Sequence, residues 1–155
     1  GYPWVIRLCL LAGGFGKIKK EQVLILVDTS VWIDLFNHPE SPYAQKLKCL
    51  IEEDEGLCIC DIVLTEVLQG IKDDRIFEEV KDSLLKFPIV KAIGLETYIL
   101  AANIYRLCRK KGKPLGKTID ALIAAVAIEN NLTLFSRDKD FGRIADCSGL
   151  KVLDI

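Results

Sequence analysis

Four carboxylates, far apart in the sequence, stand where they could share one cation. Asp28 closes the apolar run Val23-Leu-Ile-Leu-Val27, and Asp138 follows the run Leu132–Phe135. Glu66 lies early in a segment that carries Ile62, Val63, Leu64, Val67 and Leu68. Asp120 interrupts the apolar stretch 119–128, in the first turn of a helix opened and capped by Thr118, where the helix dipole favours negative charge. Singly, an acid such as Asp28 at a helix start reads as a cap, but Asp120 resists that reading because Ile119, Ala121, Leu122 and Ile123 around it are apolar. Together the four acids would repel one another unless a cation or a proton offset the charge. Carboxylate oxygens are hard ligands that suit Mg²⁺ or Mn²⁺. A metal so held lowers the pKa of bound water and aims it for in-line attack on a phosphodiester.

Other chemistries are poorly supplied. His38 is the only histidine in 155 residues, which excludes His-x-x-x-His zinc sites and paired-histidine hydrolysis. It sits in a Pro-flanked loop and reads as a surface residue. Cysteines at 9, 49, 58, 60, 108 and 147 form no Cys-x-x-Cys pair and read as reduced core residues of a cytoplasmic protein. Asp28-Thr-Ser lacks the neighbouring second acid expected of a phosphoaspartate receiver.

The elements that must position these acids follow from the apolar pattern. Strands are expected at 23–27, 57–60, 88–92 and 132–135, with a possible fifth at 151–153. Helices are expected at 30–37, 42–53, after a cap at Asp61 to Gly70, and at 74–86, 96–111 and 118–130. Short apolar strands alternating with helices specify an α/β fold, here an α/β/α sandwich around a four- to five-stranded parallel sheet. Ligand sites in such sheets lie beyond the carboxyl ends of the strands, where the acids fall.

Residues 1–22 are set apart as an N-terminal extension whose role and nativeness stay open, with one nuclease-like domain over 23–155. Gly1 is not a translation start. The apolar run at 4–12, broken by Arg7, falls well short of the roughly 18–20 residues that span a bilayer. No membrane association is expected.

The ordered segments Leu-Val-Asp28-Thr-Ser-Val-Trp-Ile, Thr65-Glu66-Val-Leu-Gln-Gly70, Thr118-Ile-Asp120-Ala-Leu-Ile and Leu-Phe-Ser136-Arg-Asp138-Lys-Asp140-Phe141 resemble the PIN domain family, and most of all its VapC-type toxins. The resemblance covers residues 23–155. It implies a metal-dependent ribonuclease acting on single-stranded RNA, usually a homodimer neutralised by a VapB-like antitoxin encoded beside it. Carried over, Asp28, Glu66, Asp120 and Asp138 are the metal-site acids, with Asp140 an alternative or additional ligand. Ser30 and Ser136 occupy positions where a hydroxyl supports a metal-site carboxylate, or else serve only as caps.

No acid stands between Thr97 and Ile119, while Arg106, Arg109, Lys110, Lys111, Lys113 and Lys117 lead into the loop before Asp120. Such a cluster offsets RNA phosphates beside an acidic site. Cations at a helix C-terminus also stabilise the helix by themselves. The net charge of −1 is then the sum of two opposed patches. Apolar residues between 30 and 86 (Val31, Trp32, Leu35, Phe36, Leu47, Leu50, Phe77, Leu84) exceed what one small sheet needs, which points to a dimer or antitoxin surface. Two other readings stand beside the toxin: an RNA-processing PIN nuclease without an antitoxin, and a non-catalytic RNA- or metal-binding module.

Overall fold

Short apolar strands pair in parallel because the helices between them return the chain to the same edge of the sheet. The computed structural model describes residues 24–155; the extension at 1–22, with its apolar run and Cys9, lies outside them. The strands are β1 (Ile25–Val27), β2 (Leu57–Cys60), β3 (Ile89–Val90), β4 (Thr133–Phe135) and β5 (Lys151–Val152). The helices are α1 (Thr29–Asn37), α2 (Pro42–Glu52), α3 (Asp61–Gln69), α4 (Asp74–Leu84), α5 (Leu95–Lys110), α6 (Thr118–Glu129) and α7 (Asp140–Cys147). All pairings are parallel, in the order β3-β2-β1-β4-β5, with Ile25 opposite Leu57 and Thr133, and Val27 opposite Phe135.

Strand order reverses between β1 and β4, and this decides where the site must lie. From β1 the chain steps outward to β2 and β3, then returns to add β4 and β5 on the other side. Right-handed crossovers taken in opposite directions place α1–α4 on one face and α5–α7 on the other. The packing agrees: α1 meets α2 and α3, while α5, α6 and α7 meet one another. The loops after β1 and β4 therefore diverge and leave a crevice between their carboxyl ends.

The core runs through both layers. Leu26, Val27, Ile59, Leu134 and Phe135 of the sheet are fully buried, as are Ile123, Ala124 and Val126 of α6. Trp32 of α1 is also fully buried, with its ring edge-to-face on Phe87 at 5.3 Å. Trp32→Ala is expected to cost about 3–5 kcal/mol by loss of transfer energy and an unfilled cavity, read as a lower urea midpoint.

Four sequence expectations need correction. The helix α7 was not foreseen: its eight residues include Gly142, and its amphipathic set Phe141, Ile144 and Cys147 is too brief to read against the flanking loops. Thr118 is the first residue of α6 and not its cap; Lys117 holds that position and makes no side-chain cap bond. Cys60 caps α3, its Sγ accepting from Val63 N–H at 3.5 Å, while Asp61 is the first helical residue and accepts from Ile62 N–H at 3.0 Å. The apolar surplus at 30–86 is only partly left over: Val31, Trp32, Leu35, Leu47, Leu50 and Leu84 are buried in the core, while Ile33 and Leu85 stay exposed. Further exposed apolar side chains lie at Ile93, just before α5, and at Leu95, Tyr98 and Ile99 in its first turns. His38 is exposed, as expected.

Candidate metal centre

Asp28 leaves β1 with extended backbone and caps α1, accepting from Ser30 N–H at 3.3 Å. Its Oδ2 also accepts from the Ser30 and Ser136 hydroxyls, each at 2.8 Å. Both hydroxyls have a second task. Ser30 Oγ accepts from Arg137 N–H at 3.1 Å, and Ser136 Oγ accepts from Asp138 N–H at 2.9 Å. The two serines therefore act at once as carboxylate donors and as caps, and they join the end of β1 to the loop after β4. Asp28 is almost fully buried. Burial pushes its carboxyl above 3.8, and the two serine hydroxyls oppose that push.

Asp120, Asp138 and Asp140 form one cluster, each offering a carboxylate oxygen within 4.8 Å of the others. Asp120 comes from the first turn of α6, and Asp140 opens α7. Asp140 N–H donates to Asp138 Oδ1 at 2.9 Å, which fixes that pair. Asp120 is buried, and its Oδ2 finds no hydrogen-bond partner among the described residues. Its pKa is pushed from 3.8 to about 6, first by burial, then by the charges of Asp138 and Asp28; Lys117 acts in the opposite sense. A buried carboxylate with an oxygen lacking a donor, clustered with two further acids, fits a hard divalent cation.

Glu66 takes a different place. Its Oε1 accepts from Thr29 Oγ1 at 2.7 Å, one residue beyond Asp28, and it stands outside the three-acid cluster. It also borders a groove of about 360 Å³ between α1, α3 and α4, lined by Ile33, Phe36, Val67, Ile71 and Ile76. The structure thus places Asp138 and Asp140 together beside Asp120, with Asp28 at hydrogen-bond range of their loop.

The basic stretch reaches the acids at one end. A side chain at Gly116 would come within 4.0 Å of Asp140 Oδ2, so the loop before α6 lies against the cluster. Arg106, Arg109, Lys110, Lys111 and Lys117 are exposed. Lys113 is instead paired with Asp146 at 2.5 Å, and that carboxylate holds its ammonium pKa above the usual value.

Sequence reasoning assigned no role to Asp34, Ser41, Thr29 or Arg137. Asp34 is fully buried in α1, with Oδ2 accepting from Ser41 Oγ at 2.8 Å and Oδ1 paired with Arg137 Nη1 at 2.9 Å. An acid between Ile33 and Leu35 on an apolar helix was the available signal.

Comparison with known proteins identifies the family to which the chain belongs. The family model described as PIN domain matches residues 25–146. Ribonuclease VapC11 of Mycobacterium tuberculosis is 30% identical over 129 residues, covering 83% of this chain and 96% of the relative. Ribonuclease VapC1 of Methanocaldococcus jannaschii is 33% identical over 139 residues, covering 89% and 93%. The structure of a toxin–antitoxin complex from Klebsiella pneumoniae aligns with a TM-score of 0.61 at 26% identity, over 84% of this chain and 96% of that one. Topology, clustered acids and extended sequence similarity together show that the chain belongs to the PIN domain family.

Proposed function

We propose that the protein is an endoribonuclease that uses Mg²⁺ or Mn²⁺ and serves as the toxin of a toxin–antitoxin pair. The observation that carries this reading is Asp120, a buried carboxylate with one oxygen lacking a donor, clustered with Asp138 and Asp140 at the crevice of the sheet. Asp120, Asp138 and Asp140 would hold the cation, with Asp28 and Glu66 completing the acidic wall. A divalent ion bound there supplies Lewis acidity and offsets charge on the phosphodiester. The chain's own groups prepare that place. Ser30 and Ser136 keep Asp28 oriented through its Oδ2, and Lys117 moderates the repulsion felt at Asp120. At neutral pH Asp120 is mostly ionised and available as a ligand, because its pKa lies near 6.

Phosphates of a single-stranded RNA would run along Arg106, Arg109, Lys110, Lys111 and Lys117; Lys113 is already engaged by Asp146. The partner readings draw on the relatives named as VapC ribonucleases and on the complex solved as a toxin–antitoxin pair. An apolar antitoxin segment suits the groove bordered by Glu66, and a homodimer contact suits Ile93, Leu95, Tyr98 and Ile99. Among the described residues no helix is long and apolar enough to cross a membrane. A cytoplasmic setting is the one in which RNA and an antitoxin would both be met.

Purified protein is expected to cut single-stranded RNA with Mg²⁺ or Mn²⁺, and to stop when EDTA removes the metal. An Asp28→Asn variant that cuts as fast as the wild type overturns the reading. Growth arrest on expression, relieved by co-expressing a neighbouring antitoxin gene, separates the toxin from an RNA-processing nuclease.

A further inference from the structure

A fully buried ion pair is an uncertain source of stability, because removing two charges from water costs about as much as their attraction returns. The pair formed by Asp34 and Arg137 is of this kind on its acidic side, since Asp34 is fully buried while the arginine side chain is half exposed. Its position is informative. Arg137 stands between Ser136, which donates to Asp28, and Asp138, which belongs to the acid cluster. The loop carrying these residues is fastened to α1 at two points. Arg137 N–H donates to Ser30 Oγ at 3.1 Å, and the guanidinium pairs with Asp34 Oδ1 at 2.9 Å.

Ser30 and Asp34 are four residues apart on α1 and so share one face, one turn above the other. Together with the Ser136 hydroxyl on Asp28, the N-cap of α1, these two attachments hold the loop in both position and direction. Asp34 is itself immobilised by Ser41 Oγ at 2.8 Å, and that hydroxyl caps α2 by accepting from Ala44 N–H at 3.0 Å. The anchor therefore rests on two helices, α1 and α2.

We propose that Asp34 and Arg137 form a positioning pair that sets the Asp138 and Asp140 carboxylates against Asp28 and Asp120, and thereby the affinity of the site for a divalent cation. This rests on the metal-site reading above. Displacing carboxylates by about 1 Å is enough to cost about 100-fold in function. Arg137 acts through the loop that it anchors, with its guanidinium directed to Asp34.

Mn²⁺ binding by calorimetry, RNA cleavage kinetics and urea unfolding test the pair in full-length protein. The double variant Asp34→Leu with Arg137→Gln removes both charges and leaves no buried ion unpaired. It is expected to keep a urea midpoint close to the wild type, to bind Mn²⁺ at least about 10-fold more weakly, and to lose kcat with little change in KM. Arg137→Lys keeps the charge but not the planar fork, and is expected to fall between the two. Should the double variant fail to fold, Arg137→Lys decides alone: wild-type Mn²⁺ affinity overturns the proposal. Unchanged Mn²⁺ affinity with a raised KM also overturns it, and makes Arg137 a phosphate contact. A wild-type protein that binds no Mn²⁺ overturns the metal-site reading itself, a result distinct from the other two.

Discussion

Asp120→Asn is expected to lower RNA cleavage by about 10²–10³-fold, the size associated with losing one preorganised charge-stabilising group, while making the metal-free protein more stable at pH 7. The two effects have one cause. Burial and the neighbouring Asp138 and Asp28 raise the Asp120 pKa from 3.8 to about 6. Between those values the folded protein binds more protons than the unfolded chain, so stability falls as pH rises through that window. At neutral pH the whole loss is present, and an uncharged amide abolishes it. For a shift of this size, reduced for the solvent that reaches Asp138 and Asp140, the gain is about 1–3 kcal/mol. Thermal melts in EDTA at pH 7 and pH 4 measure it, with the difference expected at the higher pH only. Added Mn²⁺ should raise the melting temperature of the wild type and leave the variant where it was. Wild-type cleavage should decline as pH falls through about 6, as protons compete with the cation for Asp120. A variant that cleaves normally, or is no more stable in EDTA at pH 7, contradicts this account.

Joint replacement of Ser30 and Ser136 by alanine is expected to be the most damaging change that leaves every acid in place. Asp28 Oδ2 loses two hydroxyl donors, and the backbone N–H groups of Arg137 and Asp138 lose their acceptors. Hydrogen bonds to a charged group contribute about 1.5–3 kcal/mol each, so the double variant should lose about 2–5 kcal/mol at pH 8. The direction with pH is determined. Both hydroxyls hold the Asp28 pKa down against burial, so their removal raises it further and penalises only the ionised form. Once Asp28 is protonated in both proteins, the part of the loss tied to its charge disappears. Urea midpoints of the two proteins, followed in steps downward from pH 8, should therefore converge toward the acidic end. Each single variant should lose less than half of the double effect, because the hydroxyls lie 3.3 Å apart and the remaining one still donates to the same oxygen. Equal losses throughout the pH series would show that the serines only cap the loop.

The strands and most helices were legible because their periodicity is strong. Leu57–Cys60 and Pro42–Glu52 lie where the strand expected at 57–60 and the helix expected at 42–53 put them. The foreseen acids were legible through position, since a carboxylate at the end of an apolar strand has few uses apart from caps and ligands. Short α7 escaped because eight residues with an internal glycine carry little pattern. Val31, Trp32, Leu35, Leu47, Leu50 and Leu84 looked like surplus because composition counts side chains without showing how much sheet they must cover. Asp34 and Arg137 escaped because their partnership spans about a hundred residues of chain and depends on the loop after β4 folding back onto α1.

The sequence by itself determined the parallel α/β architecture, the chemistry available with a single histidine, and the identity of acids that fall at strand and helix ends. Local pattern is enough for these, because burial on two faces and the direction of each strand follow from short stretches of chain. Only the tertiary structure decided which acids meet. It set Asp120, Asp138 and Asp140 in one cluster, tied Asp28 to them through two serines, and left Glu66 beside Thr29 at the border of a groove. Distances of this kind depend on the reversal of strand order between β1 and β4. That reversal is a property of the whole sheet, which no single segment encodes.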